Sequence, residues 1–287
     1  MYGLYRLIGS LMLLVFLITV ITGCRSPQGV AAPIASGSLK GEGLVVLCYH
    51  RVLPSGPLGW GRLFWHSEAE LSRYALSTGE FASQLDYLRR QGVRFVTPRE
   101  AEEFLTGHRS FPGKLVLVSF DDGDLSVYKH AFPLLKEKRI PFLFFLIAGQ
   151  VGKQWEGFTI CSWDQVREMV DSGLCTVGLH THDLHHFDPR AKMPVFLLPG
   201  KEELFAADTA SGIACLEKHL GVKVRYFAYP YGFGTPATDR ILLSQGIPNI
   251  FTLASKVNRP GEPRFFIGRV LVTRESWPQV AAWARAR

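Results

Sequence analysis

Several features that would narrow a function at once are missing from this 287-residue chain. It has five cysteines, none of them in a Cys-x-x-Cys pair, which argues against a structural zinc site. No block of five Lys/Arg occurs, so the net charge of +7 reads as a solvated basic surface. Such a surface adds weak attraction to an anionic membrane and leaves no nucleic-acid footprint. No repeat period is visible. The signature of disorder is missing too, since 47% hydrophobic and 20% charged residues is ordinary globular composition. The length suits one large domain, and α/β barrels of about 200–250 residues are common.

A full membrane span is also lacking. Leu7–Val20 is uncharged and apolar but fourteen residues long, the length of a signal-peptide core and short of the roughly 20 residues that cross a bilayer. Arg6 precedes it and Ile21-Thr22-Gly23-Cys24 follows, a tetrapeptide that resembles the lipobox of bacterial lipoproteins. The resemblance implies cleavage before Cys24 and acylation of that cysteine; two or more chains give stable attachment. The alternatives are an uncleaved anchor and a simple secretory signal. Cleavage removes Arg6 and no acid, leaving a charge of +6. Arg25, in place of Asp, favours sorting to the periplasmic face of an outer membrane. We therefore expect a lipoprotein signal peptide over 1–23, a Gly/Ser/Ala/Pro-rich flexible tether over 24–43 and a catalytic domain over 44–287. Cys48 and Cys175 lie in apolar runs and read as small hydrophobes. The sequence chooses no disulfide.

What is present is an alternation of apolar runs and amphipathic segments. Leu44–Tyr49, Val93–Val96, Leu115–Phe120, Pro141–Ile147, Leu174–Leu179, Val224–Tyr229, Ile250–Leu253 and Phe265–Val272 read as strands, most of them continuously apolar as buried parallel strands are. Between them lie helical stretches, with capping boxes at Ser77-x-x-Glu80 and Ser162-x-x-Gln165 and helices over 126–138 and Ala207–Leu220. Strands separated by helices predict parallel βαβ units, enough for a barrel or near-barrel. Phe187–Glu203 is a long Pro-containing connection. Its "MPVFLLPG" (Met193–Gly200) is expected to border a groove or touch a membrane, the alternative being packing over the barrel's own helices.

The polar motifs fall where parallel α/β folds collect their chemistry, just after the strands. Asp121-Asp122-Gly123 follows "LVLVSF", His180 follows "LCTVGL", Tyr229-Pro230-Tyr231-Gly232 follows "VRYFA" and His50 follows "LVVLCY". Taken singly, Asp-Asp-Gly and Pro-Tyr-Gly make turns and a lone histidine packs in a core. Four histidines in seven residues (His180, His182, His185, His186) can equally be a hydrated turn. Together they suggest more. Two adjacent carboxylates point different ways, so one can hold a cation while the other serves as a base. With two imidazoles they make a two-His, one-carboxylate site with open positions for activating water.

"SFDDG" (Ser119–Gly123), the His-Thr at His180 and "FAYPYG" (Phe227–Gly232) resemble the successive motifs of polysaccharide deacetylases with the NodB-homology domain. "LCYHRV", "FASQLDYL", "SWDQVREMVDSG" and "CLEKHLGVKVRYFAYPYG" extend the likeness from about Leu44 to Val272. They point to the branch similar to exported poly-β-1,6-N-acetylglucosamine deacetylases. The resemblance implies an α/β fold, a distorted (β/α) barrel, that removes N-acetyl groups from an N-acetylglucosamine-containing polysaccharide. It implies a divalent metal, Zn²⁺ first, with Co²⁺, Ni²⁺ or Fe²⁺ as alternatives. It assigns Asp121 as general base, Asp122 and His180 as metal ligands, and the Tyr231 backbone N–H as oxyanion donor. Most relatives place the second histidine four residues after the first, where this chain has Leu184; the biofilm branch spaces it five, giving His185. His50 matches an N-terminal histidine of that branch and takes the general-acid or substrate-binding role.

The chain departs from the family in three places. Ala228 stands where many relatives carry the arginine that orients the base. No Leu-x-His counterpart occurs in "LVTRESW", which places more weight on His50. Asp124 follows Asp-Asp-Gly where an aromatic is frequent. Trp60, Trp65 or Trp155 can stack on sugar rings or simply pack. Two rival readings use the same residues: a lipid-anchored glycan-binding protein without turnover, and a metal-dependent O-acetyl esterase.

Overall fold

The computed structural model describes residues 39–56 and 74–286; the signal, most of the tether, Cys24, Trp60 and Trp65 lie outside them. Seven parallel strands close on themselves: β1 (Gly43–Tyr49), β2 (Lys114–Phe120), β3 (Phe142–Leu146), β4 (Cys175–Leu179), β5 (Tyr226–Ala228), β6 (Asn249–Thr252) and β7 (Ile267–Leu271). The circular order is β1-β7-β6-β5-β4-β3-β2, closed by β2 against β1 along their whole length, with Leu47 opposite Val118. This is the distorted (β/α) barrel anticipated above. Val93–Val96 shrinks to Arg94–Phe95, which pairs with Leu115 and Val116 at the start of β2, beside the positions that β3 occupies.

Continuous apolar strands follow from burial on both faces. Alternate residues form two separate clusters. Leu44, Val46, Leu115, Leu117, Leu143 and Phe145 fill the interior. Val45, Leu47, Val116, Val118, Phe142 and Phe144 meet the surrounding helices. Gly178 belongs to the first set for a steric reason: a Cβ there would sit 2.5 Å from the Phe145 ring. Both predicted capping boxes form, Ser77 with Glu80 and Ser162 with Gln165.

Two connections differ from expectation. The helix over Glu202–Leu220 starts five residues before Ala207, its first turn carrying Glu202 and Glu203, where acids complement the helix dipole. The apolar stretch after Met193 does not present its phenylalanine to a groove or a membrane. Phe196 is buried, its ring 5.0 Å from Phe205 and 6.2 Å from Tyr229. Packing over the barrel's own helix wins because Phe205, one turn into that helix, offers an aromatic face already fixed in the core.

Candidate active site and metal centre

The carboxyl ends of β1, β2, β4, β5 and β7 bring the polar groups to one rim. Among the described residues, three of the six non-glycine residues with positive φ sit there: Asp122 (72°), Thr181 (72°) and Tyr231 (59°). Such conformations cost of order 1–3 kcal/mol each and persist where surrounding structure enforces them.

Asp121 and Asp122 diverge as the sequence requires. Asp121 faces the barrel interior and is gripped by Arg269 of β7, Nη1 donating to Oδ1 at 2.6 Å and Nη2 to Oδ2 at 2.8 Å. The guanidinium is fully buried, lies 5.2 Å from the Phe145 ring centre and donates from Nε to the Thr252 carbonyl. The Cys48 thiol approaches Oδ2 at 3.4 Å. Burial alone raises the Asp121 pKa, but Arg269, helped by His180, outweighs it and holds the carboxyl well below the usual carboxylate range. Asp121 is therefore ionised throughout the neutral range.

Asp122 turns to the histidines. Its Oδ1 lies 3.7 Å from His180 Nε2 and 3.5 Å from His185 Nε2, while Oδ2 accepts from Arg51 Nη2 at 3.3 Å. Arg51 Nε is also 3.4 Å from Asp124 Oδ2, and its guanidinium covers the Phe158 ring at 3.6 Å. Burial raises the Asp122 pKa, and His50, His185 and Arg51 more than offset it. His180 Nδ1 lies 2.7 Å from the Ala228 carbonyl, an obligate acceptor. That contact assigns the proton to Nδ1 and leaves the Nε2 lone pair for the pocket. His185 Nε2 is 3.2 Å from it. Burial, then the neighbouring His180, pushes the His185 pKa down to about 3.

The donor atoms of Asp122, His180 and His185 all lie within 4.8 Å of one another. One carboxylate and two imidazoles, one oriented through a backbone carbonyl, fit a divalent cation of the zinc class. His182 and His186 stay out: His182 Nε2 lies 3.5 Å from Asp183, and His186 is exposed with Glu156 at 3.9 Å. His50 stands beside Asp121 in a second group with Cys48. It stacks on Tyr74 at 5.3 Å, and its buried Nδ1 has no hydrogen-bond partner among the described residues. Burial lowers the His50 pKa, with Asp122 and Asp121 pulling it back in part. Around His185, Trp155 and Tyr231 stand at 5.0 and 4.9 Å, with Phe187 5.2 Å beyond Tyr231 and partly exposed.

Sequence reading missed Arg269 and Arg51. The signal for Arg269 was available: a single arginine inside the apolar strand "FFIGRVLV" is buried only if an acid meets it. It meets Asp121 from β7, where Ala228 offers no guanidinium. Phe187, in the long connection, carried no comparable signal.

A family profile described as polysaccharide deacetylase matches residues 108–250. β1 and β7, which bring His50, Arg51, Cys48 and Arg269, lie outside that stretch. The chain is 30% identical over 234 residues to the poly-β-1,6-N-acetyl-D-glucosamine N-deacetylase of Staphylococcus epidermidis, covering 81% of this chain and 80% of that one. It is similar to the structure of IcaB from Ammonifex degensii, with 67% identity, a TM-score of 0.79, and coverage of 87% of this chain and 100% of that one. A de-N-acetylase from Aggregatibacter actinomycetemcomitans shares the fold at 22% identity and a TM-score of 0.69, over 84% of this chain and 99% of that one.

Proposed function

The chain belongs to the polysaccharide deacetylase family, and from that premise we propose that it is a metal-dependent N-deacetylase acting on a poly-β-1,6-N-acetylglucosamine-type polymer at the cell envelope. The observation that carries this reading is the pairing of an Arg269-held carboxylate with the Asp122–His180–His185 group across a single peptide bond. The substrate class follows the names of the relatives above. A divalent cation bound by those three residues supplies Lewis acidity, polarising the acetamide carbonyl and bringing the pKa of a water from about 15.7 toward ~7.

The remaining work falls to the chain. Asp121 stays ionised, and Oδ2, the oxygen 3.9 Å from His180 Nε2, accepts the proton of the attacking water. Arg269 keeps that carboxylate from rotating away. The Tyr231 N–H, presented by a left-handed residue, donates to the oxyanion, a contribution of about 3–4 kcal/mol for one well-aimed donor. His50 protonates the departing amine; burial favours its neutral form, so its protonated form is a strong acid suited to giving the proton up. The Trp155–Tyr231–Phe187 aromatics offer faces for sugar rings.

Envelope attachment rests on the Cys24 motif; no helix among the described residues is long and apolar enough to cross a membrane. Cys24→Ala is expected to release the protein from the membrane fraction or stall its processing with the barrel intact, and unchanged retention with normal processing contradicts the anchor. The activity is tested by acetate release from poly-β-1,6-N-acetylglucosamine, chitin oligomers, peptidoglycan and an O-acetylated glycan after metal loading. Release from the first supports the reading. Binding without release from any of them supports the glycan-binding alternative, and release from the O-acetyl ester alone supports an esterase.

A further inference from the structure

His180 directly follows β4, and the chain must leave the rim and return within five residues to bring His185 back to Asp122. The intervening peptide groups are tied on two sides. The carbonyls of Thr181 and His182 accept from the amides of Ala148 (3.0 Å) and Gly149 (2.9 Å) in the loop after β3. The amides of His182 and Asp183 both donate to one carboxylate, Asp208, at 2.8 Å to Oδ2 and 2.8 Å to Oδ1. Gln150 Nε2 adds a bond to Asp183 Oδ1 at 2.7 Å.

Both sides are rigidly based. Asp208 is on the helix Glu202–Leu220, three residues after Phe205, whose buried ring stands edge-on to Phe227 at 5.9 Å. Gly149 approaches so closely that a Cβ would lie 2.8 Å from the His182 carbonyl oxygen and run into the Asp183 carboxylate. Only a glycine fits that approach.

We propose that Asp208 and Gly149 are positioning residues for the metal pocket: they clamp the His180–His185 excursion from opposite sides and so set how tightly the pocket holds a divalent cation. This rests on the metal-site reading above. A carboxylate that accepts two consecutive amides fixes the course of the loop, and with it the distance between the two imidazoles. Outer partners of this kind are worth about 10–100-fold in metal affinity.

The full-length protein provides the test, with Zn²⁺ affinity measured by chelator competition and the Co²⁺ absorption spectrum as a second readout. Asp208→Ala is expected to weaken Zn²⁺ binding by about 10–100-fold and to alter the Co²⁺ spectrum. Asp208→Asn keeps one acceptor oxygen and should fall between it and the wild type. Gly149→Ala, pushing from the other side, should weaken binding as well. Asp188 is the control, since its Oδ1 accepts the amides of Arg190 (2.8 Å) and Ala191 (2.9 Å) one loop further on. Asp188→Ala should lower thermal stability and leave Zn²⁺ affinity unchanged. If Asp208→Ala does not fold, Asp208→Asn and Gly149→Ala carry the test. Variants that are less stable yet bind Zn²⁺ within twofold of wild type overturn the clamp alone. A wild-type protein that binds no metal overturns the clamp and the metal site together.

Discussion

One peptide bond separates two surroundings at the barrel rim. On the interior side, Asp121 meets Arg269 through two short bonds in a fully buried pair. On the outer side, Asp122 offers one oxygen to Arg51 and the other to two imidazole nitrogens. The first surrounding is electrostatically closed, because the resident guanidinium answers both carboxylate oxygens and leaves no role for an added cation. The second keeps an anionic oxygen and two imidazole nitrogens facing a common space. Identical side chains thus acquire different surroundings through what the neighbouring strands deliver, one suited to the proposed base and the other to the proposed ligand.

The contrast breaks most severely at the ligands. Asp122→Ala, His180→Ala and His185→Ala are each expected to lose bound metal and reduce acetate release at least a thousandfold, the scale set by losing an activated water. His182→Ala and His186→Ala should keep both. Metal content of the five variants checks this. Loss of metal at 182 and 186 with retention at 180 and 185 would reassign the ligands.

Asp121→Asn sharpens the contrast, removing the proposed base without touching the proposed ligands. Metal should be retained and turnover should drop about 10²–10⁴-fold, the usual worth of a positioned base.

Arg269→Met asks what closes the interior side. It leaves a buried carboxylate without its cation and should destabilise the fold by about 3–5 kcal/mol, read by denaturant unfolding. Adding Asp121→Asn to the same chain should recover part of that loss and none of the activity. Additive losses would show that the two residues are not coupled.

The smallest effect is a pH dependence of the metal-free protein. His185 is held neutral down to about 3 in the fold, whereas an unfolded histidine protonates near 6.5. The unfolded chain therefore binds the extra proton, and stability falls as pH drops from about 6.5 toward 3. The half-buried His50, also shifted down, adds to the same trend. Asp121 acts in another window: its depressed pKa contributes stability above the unfolded value of about 3.9 that is lost at lower pH. Thermal melts between pH 4 and 7 should show the histidine part, flattened in His185→Gln. An unchanged slope in that variant would place the titrating group elsewhere.

Much of this was legible before any coordinates. The buried strands announced themselves because both faces of a closed parallel sheet are apolar, and the cap residues marked helix starts within a residue. The rim was legible because Asp121, Asp122, His180 and His50 each follow directly on a strand. Less could be read where the partner is remote in sequence. Arg269 lies 148 residues from Asp121, and only its isolation in an apolar strand hinted at a buried acid. Asp208 looked like any polar helix residue, since nothing local says that its carboxylate meets the amides of His182 and Asp183. The place of Phe196 stayed open between a groove and the barrel's own helices, because loop patterning does not reveal the Phe205 face beneath it.

The division of labour between the two aspartates is tested most directly by titrating Zn²⁺ into metal-stripped wild-type protein and Asp121→Asn while following bound metal and acetate release from poly-β-1,6-N-acetylglucosamine. Both proteins should bind Zn²⁺ with similar affinity, and acetate should rise with occupancy in the wild type alone. Loss of Zn²⁺ binding in Asp121→Asn, or undiminished acetate release from it, would contradict the assignment.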